Sequence, residues 1–99
     1  MNHTIQIGKR TISAASPTFI VAEVSANHNQ NYDRAVEIIH AAAEAGADAV
    51  KLQTYTADTL TIDCHDDCFM NKGGLWDGIS EYDLYKQAYT PWEWQPKLM

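Results

Sequence analysis

The sequence predicts an α/β protein, and three observations lead to that prediction. Two apolar, strand-like runs, residues 19–24 and 49–54, flank a segment with helical periodicity. A polar loop separates the first run from the helical segment, and Gly46 separates that segment from the second run. Strand, loop, helix and strand over about 30 residues form a βαβ unit, in which the two strands are parallel and the crossover is almost always right-handed.

The residues before this unit predict a β-hairpin. Residues 5–7 and 11–13 alternate apolar and polar side chains around the segment 8–10, where Gly8 permits a tight turn. Pro17 separates the hairpin from the next strand. Residues 19–24 are too continuously apolar for a sheet with one wet face, so we expect this strand to be covered on both faces.

A surface helix is predicted for residues 32–45. Asn31 can cap its first turn, and Gly46 follows its last periodic position, where a left-handed residue commonly ends a helix. One face is apolar at the spacing i, i+3, i+4 and i+7, and the opposite face is mostly charged. The apolar positions are Ala35, Ile38, Ile39 and Ala42, and the opposite positions are Arg34, Glu37, Ala41 and Glu44.

The C-terminal half is less regular. Residues 55–78 have little periodicity, which predicts a long loop that is either functional or disordered. Ser80 begins a pattern typical of a capping box, with a short helix continuing through Ala88. The last residues leave two alternatives: a helix capped by Thr90 with an irregular first turn, or a helix that begins near Pro96. Since a single βαβ unit cannot close its own core, we interpret the chain as truncated.

Composition excludes several classes of protein. At 99 residues the chain forms one domain at most, and its net charge of -6 with scattered cations argues against nucleic acid as a partner. No apolar run reaches the ~20 residues of a membrane-spanning helix, and the first residues do not resemble a signal peptide. We therefore expect a cytoplasmic protein that does not bind membranes, where a disulfide between Cys64 and Cys68 is unfavourable.

Polar residues within the two apolar runs are the candidate functional residues. Lys51 lies in the middle of the second run, where a buried amine needs a paired charge or an anion, and period 2 places Gln53 on the same face. Glu23 ends the first run, so parallel strands would place it at the same sheet edge as Lys51. The alternative for this pair is structural: the lysine extends to water or pairs with Glu23.

Two other polar segments allow both a functional and a structural interpretation. Asn27 and His28 follow the first strand and could bind ligand oxygens, but residues of this type often fold their own loop instead. Residues 64–68 (CHDDC) place thiols, an imidazole and carboxylates together, yet the C-x2-C spacing and a second ligand cluster are absent from the sequence. The sequence therefore does not predict a metal site in this chain.

Three separated segments closely resemble the start of the sialic acid synthase family: residues 19–30 (FIVAEVSANHNQ), 42–56 (AAEAGADAVKLQTYT) and 89–94 (YTPWEW). Residues 25–30, 52–61 and 75–78 are most similar to the members that make pseudaminic acid. The resemblance implies the N-terminal portion of a (β/α)8 TIM barrel, comprising a β-hairpin, a βαβ unit and a long loop within residues 1–99. The rest of the barrel and a C-terminal antifreeze-like (SAF) domain would be absent.

The resemblance also implies a function. Members condense phosphoenolpyruvate with an amino-sugar aldehyde to form a nonulosonic acid and phosphate. The sugar would be 2,4-diacetamido-2,4,6-trideoxy-altrose for pseudaminic acid, or N-acetylmannosamine in the alternative of an N-acetylneuraminate synthase; a second alternative is a non-catalytic truncated binding module. Lys51 resembles the phosphoenolpyruvate-binding lysine, and Glu23 and Gln53 resemble residues on the sugar side.

The remaining implications concern the complete enzyme. It would be a transferase that uses a divalent metal, Mn²⁺ or Mg²⁺, with ligands outside this fragment, and it would form a domain-swapped homodimer. We predict that Glu23 and Lys51 are catalytic, and that Lys51, Gln53, Asn27 and His28 bind substrate. The 99-residue piece alone is expected to be inactive.

Overall fold

A computed structural model describes residues 3–99 of the chain. Its strands are β1 (Ile5–Ile7), β2 (Arg10–Ile12), β3 (Val21–Glu23) and β4 (Ala49–Lys51), and its helices are α1 (Tyr32–Glu44), α2 (Ala57–Leu60), α3 (Glu81–Ala88) and α4 (Gln95–Leu98). The α/β class is therefore confirmed. The prediction about a signal peptide depends partly on residues 1 and 2, which lie outside the described residues.

The N-terminal hairpin forms as predicted, with its second strand one residue earlier. Strands β1 and β2 pair antiparallel with Ile5 opposite Ile12 and Ile7 opposite Arg10, so the turn contains only two residues. Gly8 adopts φ +56°, a left-handed conformation that costs glycine little. Arg10 therefore belongs to the strand and not to the turn, which corrects the predicted segment 8–10.

The predicted βαβ unit is present, and its two strands are parallel. Strands β3 and β4 pair in the register Val21 to Ala49 and Glu23 to Lys51, with α1 as the crossover. The expectation that β3 is covered on both faces is wrong for residues 3–99, because Ile20 and Val21 are 53% and 47% exposed. The physical reason is the small sheet: two strands and one crossover helix leave apolar surface uncovered.

Helix α1 has both of its predicted ends. The Asn31 side chain accepts a hydrogen bond from the backbone N–H of Arg34, which caps the first turn. At the other end Gly46 has φ +95°, its N–H donates to the carbonyl of Ala43, and the next N–H donates to the carbonyl of Ala42. This pair of bonds is a Schellman motif, which ends the helix and directs the chain into β4.

The predicted long loop contains more structure than expected. Helix α2 and a 3-10 turn (Asp67–Phe69) lie within residues 55–78, which corrects the prediction of an irregular loop. The Thr59 hydroxyl accepts a hydrogen bond from the backbone N–H of Thr56 and donates one to its carbonyl, and this local bonding favours a helical turn. The hydroxyl of Tyr82 donates to Asp58 at 3.0 Å and ties α2 to α3.

The C-terminal segments combine the two alternatives left by the sequence. Ser80 caps α3 by accepting from the backbone N–H of Asp83, as predicted. The next helical segment begins with a 3-10 turn (Trp92–Trp94), and the α-helical residues of α4 start at Gln95. The first turn is thus irregular, and Pro96 lies near the start of α4, where the missing N–H has no helical partner to lose.

The core of residues 3–99 is small and partly polar. Its buried apolar side chains are Val24, Ala35, Ala57 and Ala88, and its buried polar residues are His28, Ser80 and Thr90. Large apolar side chains elsewhere are exposed, including Ile20 and Leu75. No helix in the described part of the chain combines the length and the apolar character needed to cross a membrane.

Candidate functional site

Glu23 and Lys51 lie side by side at the carboxyl ends of the two parallel strands. They are register partners, and the Lys51 ammonium Nζ donates to the Glu23 carboxylate Oε1 at 3.1 Å. The backbone N–H of Val24 donates to the carbonyl of Lys51, so pairing continues to the last residue of β4. The predicted neighbourhood of the two side chains is therefore confirmed.

The environment of the pair differs from the expectation. The side chains of Lys51 and Glu23 are 56% and 62% exposed, so the lysine is not inside a buried strand and its charge needs no special compensation. The ion pair matches the structural alternative that the sequence left open. It also leaves both charges accessible to a ligand, because neither is enclosed by the described residues.

Gln53 lies two residues beyond the end of β4. Its backbone carbonyl accepts a 2.7 Å hydrogen bond from the N–H of Thr90, and the residue is half-buried. Because the regular strand ends at Lys51, strand alternation no longer fixes the direction of the Gln53 side chain. The shared face that we inferred for Lys51 and Gln53 therefore stays a prediction.

The loop between β3 and α1 is tightly folded. Ser25, Asn29 and Gln30 have φ values of 52°, 50° and 52°, a left-handed conformation that costs non-glycine residues energy and needs support from the surrounding structure. Asn27 is exposed, and its side-chain amide donates to the carbonyl of Val24 at 3.1 Å. Asn27 thus helps to fold the loop while it remains accessible.

His28 is enclosed by protein. It is fully buried; its Nδ1 accepts from the backbone N–H of Gln30, and its Nε2 lies 2.9 Å from the hydroxyl of Thr90. The imidazole packs edge-on against the ring of Trp94, with the two ring centroids 5.3 Å apart. Burial lowers the pKa of the imidazole. These contacts favour the structural alternative for His28, and its contact with substrate stays a prediction.

The Cys64 to Cys68 segment does not assemble into a metal site. Both cysteines are free, and His65 bonds to the carboxylate of Asp83 at 3.1 Å. That hydrogen bond is the main reason why the pKa of Asp83 lies below its usual value. Within residues 3–99 no three His, Cys, Asp or Glu side chains come close enough to hold a metal ion. The described residues therefore do not fit a divalent metal, and no chemical step is assigned to one here.

Sequence reasoning missed Thr90 and Gln30. The Thr90 hydroxyl meets His28 and its N–H meets Gln53, while the Gln30 side-chain amide donates to the carbonyls of Lys86 and Tyr89 at 3.2 Å. These contacts join segments more than 30 positions apart, so no local period could predict them. The one available signal was the polar loop itself, which has more donors and acceptors than a simple turn needs.

Comparison with known proteins adds family relationships to this geometry. Residues 38–99 match the model of the NeuB family. Over 94 residues, 95% of this chain, the sequence is 46% identical to a pseudaminic acid synthase of Campylobacter jejuni subsp. jejuni, of which the match covers 27%. Over 82 residues, 83% of this chain, it is 51% identical to a pseudaminic acid synthase of Helicobacter pylori, of which the match covers 24%.

A solved structure is also similar. The crystal structure of the spore coat polysaccharide biosynthesis protein SpsE from Bacillus subtilis matches 97% of this chain and 24% of its own length, with a TM-score of 0.65 and 35% sequence identity. The chain therefore spans about a quarter of the length of the curated relatives it matches. The α/β arrangement of residues 3–99 recurs within that larger protein.

Proposed function

The chain belongs to the NeuB family, and from that premise we propose that it forms part of a nonulosonic acid synthase. The observation that supports this proposal best is the position of Glu23 and Lys51, adjacent at the carboxyl ends of neighbouring parallel strands. This edge is where α/β folds bind their ligands. In the complete protein the βαβ unit would be the first part of a (β/α)8 barrel, followed by a C-terminal antifreeze-like domain.

The proposed reaction joins phosphoenolpyruvate to an amino-sugar aldehyde. The methylene carbon of phosphoenolpyruvate forms the new bond to the aldehyde carbon, whose oxygen takes up a proton. Water adds at the neighbouring carbon with loss of a proton, and phosphate leaves as the bond between its oxygen and that carbon breaks. Similarity to two pseudaminic acid synthases favours 2,4-diacetamido-2,4,6-trideoxy-altrose as the sugar and pseudaminic acid as the product. N-acetylmannosamine is the alternative substrate, and a binding module without catalysis is the alternative from a different class.

Four of the candidate residues have a proposed role at this edge. The Lys51 ammonium, at the end of a strand, would form a charge-assisted hydrogen bond with the phosphate or carboxylate of phosphoenolpyruvate. Glu23 and Gln53 would form hydrogen bonds with hydroxyl or amide groups of the sugar. Asn27, exposed beside β3, would add an amide to the same edge. A divalent metal, Mn²⁺ or Mg²⁺, would have its ligands outside residues 3–99.

Phosphate release tests this proposal directly. The protein that the complete gene encodes is purified and given phosphoenolpyruvate, Mn²⁺ or Mg²⁺, and each of the two sugars, with the 99-residue chain as a parallel sample. We expect phosphate release with the diacetamido sugar, less with N-acetylmannosamine, and none from the 99-residue chain. No sugar-dependent release by the complete protein would refute the synthase proposal and favour the binding module.

A further inference from the structure

A chain of hydrogen bonds connects the loop after β3 to Gln53, two residues beyond the end of β4. His28 and Thr90 are both fully buried, with Nε2 and the hydroxyl oxygen 2.9 Å apart. The backbone N–H of the same Thr90 donates to the carbonyl of Gln53 at 2.7 Å. One buried threonine thus contacts both segments that follow the strand ends of the proposed site.

The partners of His28 determine which ring nitrogen has the proton. A backbone N–H can only donate, so the Nδ1 atom that faces the N–H of Gln30 at 2.9 Å must accept and has no hydrogen. The proton of the neutral ring is therefore on Nε2 and is donated to the Thr90 hydroxyl. The edge-on contact with Trp94 holds the plane of the ring.

We propose that His28 is a positioning residue that holds Gln53 in the sugar-binding part of the site through Thr90, an inference that rests on the proposed function. Gln53 lies beyond the last paired residue of β4, so the sheet does not fix its backbone. The N–H of Thr90 supplies that restraint, and the imidazole of His28 fixes Thr90 in turn. Gln30 strengthens the arrangement, because its side chain holds the segment that leads into Thr90.

This role differs from direct contact with substrate. With both nitrogens bonded to protein and no exposed surface, His28 could meet a sugar only by breaking one of these bonds. A positioning role predicts that removing the Thr90 hydroxyl has the same effect as removing the imidazole. Direct contact predicts that only the imidazole matters.

Four variants of the protein encoded by the complete gene separate these roles. His28→Asn keeps an acceptor near the N–H of Gln30 and loses the donor to Thr90. Thr90→Val loses the hydroxyl at nearly constant size, while Thr90→Ser keeps the hydroxyl and is the matched control. The fourth variant combines His28→Asn with Thr90→Val. We expect the first two to raise the KM for the sugar by about 10- to 100-fold, the range in which a misplaced binding group acts. The KM for phosphoenolpyruvate should change little, Thr90→Ser should resemble the unmodified protein, and the double variant should be no worse than either single variant.

Specific results would overturn the inference. An unchanged KM for the sugar in Thr90→Val, with only the folded fraction reduced, would show that the contact is structural. A raised KM in His28→Asn alone would assign the histidine to substrate. Ring-nitrogen NMR of the unmodified protein, labelled with ¹⁵N-histidine, tests the geometry without any variant that must fold: a protonated Nδ1 on His28 would contradict it. An unmodified protein without activity would refute the proposed function instead, and the nitrogen spectrum would still decide the state of His28.

Discussion

Replacing Lys51 with Met separates the structural role of the ion pair from its proposed role in binding. At 3.1 Å two unit charges attract by about 1.3 kcal/mol in bulk water, and the entropy of fixing two long side chains offsets most of that energy. Since both side chains are more than half exposed, we expect the free energy of unfolding to fall by less than about 1 kcal/mol. The stem of the side chain is retained, so packing along it is little changed.

The same variant should have a much larger effect on activity. A charge-assisted hydrogen bond to phosphoenolpyruvate contributes about 1.5 to 3 kcal/mol, which corresponds to a loss of about 10- to 150-fold in kcat/KM. Phosphate release by the complete protein at varied phosphoenolpyruvate measures this loss, and the urea midpoint measures stability. Lys72→Met, a change at an exposed lysine between α2 and α3, is the matched control and should alter neither quantity. Normal activity in Lys51→Met, or a loss of stability above about 2 kcal/mol, would refute this reasoning.

Three further predictions concern contacts that hold the site. Burial lowers the pKa of His28 below 6.5, so between the two pKa values the unfolded chain binds a proton that the native state excludes. The free energy of unfolding should therefore be highest above about pH 6.5 and should fall as the pH drops towards the native pKa. Between about pH 7 and pH 5 the urea midpoint should decline less in His28→Asn than in the unmodified protein. Equal slopes of midpoint against pH in the two proteins would contradict this. Asn31→Ala should lower the free energy of unfolding by about 1 kcal/mol while Asn31→Asp should not, and equal losses would argue against the cap. Asp48→Ala should lower the free energy of unfolding by about 2 kcal/mol, because the carboxylate accepts a hydrogen bond from the N–H of Ile20 at 2.8 Å and pairs with Arg10. A urea titration measures this loss, and an unchanged midpoint would disprove it.

The βαβ unit could be predicted because its signals are local. Asn31 and Gly46 mark the two ends of α1, and the apolar spacing between them identifies the buried face. A connection of this kind leaves the two strands parallel, which places Glu23 and Lys51 at one edge. Their direct pairing was a possibility that only the register could decide, because a shift of one residue would have moved either side chain to the other face.

The contacts of His28 could not be predicted from the sequence, because they depend on a partner 62 positions away. Turn-forming residues such as Asn27 and His28 are compatible with a ligand site and with a self-contained loop, and their local pattern is the same in both cases. Helix α2 was missed for a different reason. Four residues are too few for a periodic pattern, and the hydroxyl of Thr59 supplies the bonds that favour the turn.

The distribution of polar contacts also bears on function. The fold places its buried polar bonds, such as His28 with Thr90, where they hold segments together, and leaving either partner unpaired there would be costly. Glu23 and Lys51 are arranged in the opposite way, since their bond is exposed and contributes little to stability. An anion that displaces Glu23 from the lysine therefore loses less than about 1 kcal/mol of protein stability, while it gains a charge-assisted bond. The weakness of the pair is thus what the proposed function requires, because a strong internal salt bridge would compete with phosphoenolpyruvate for the same ammonium group.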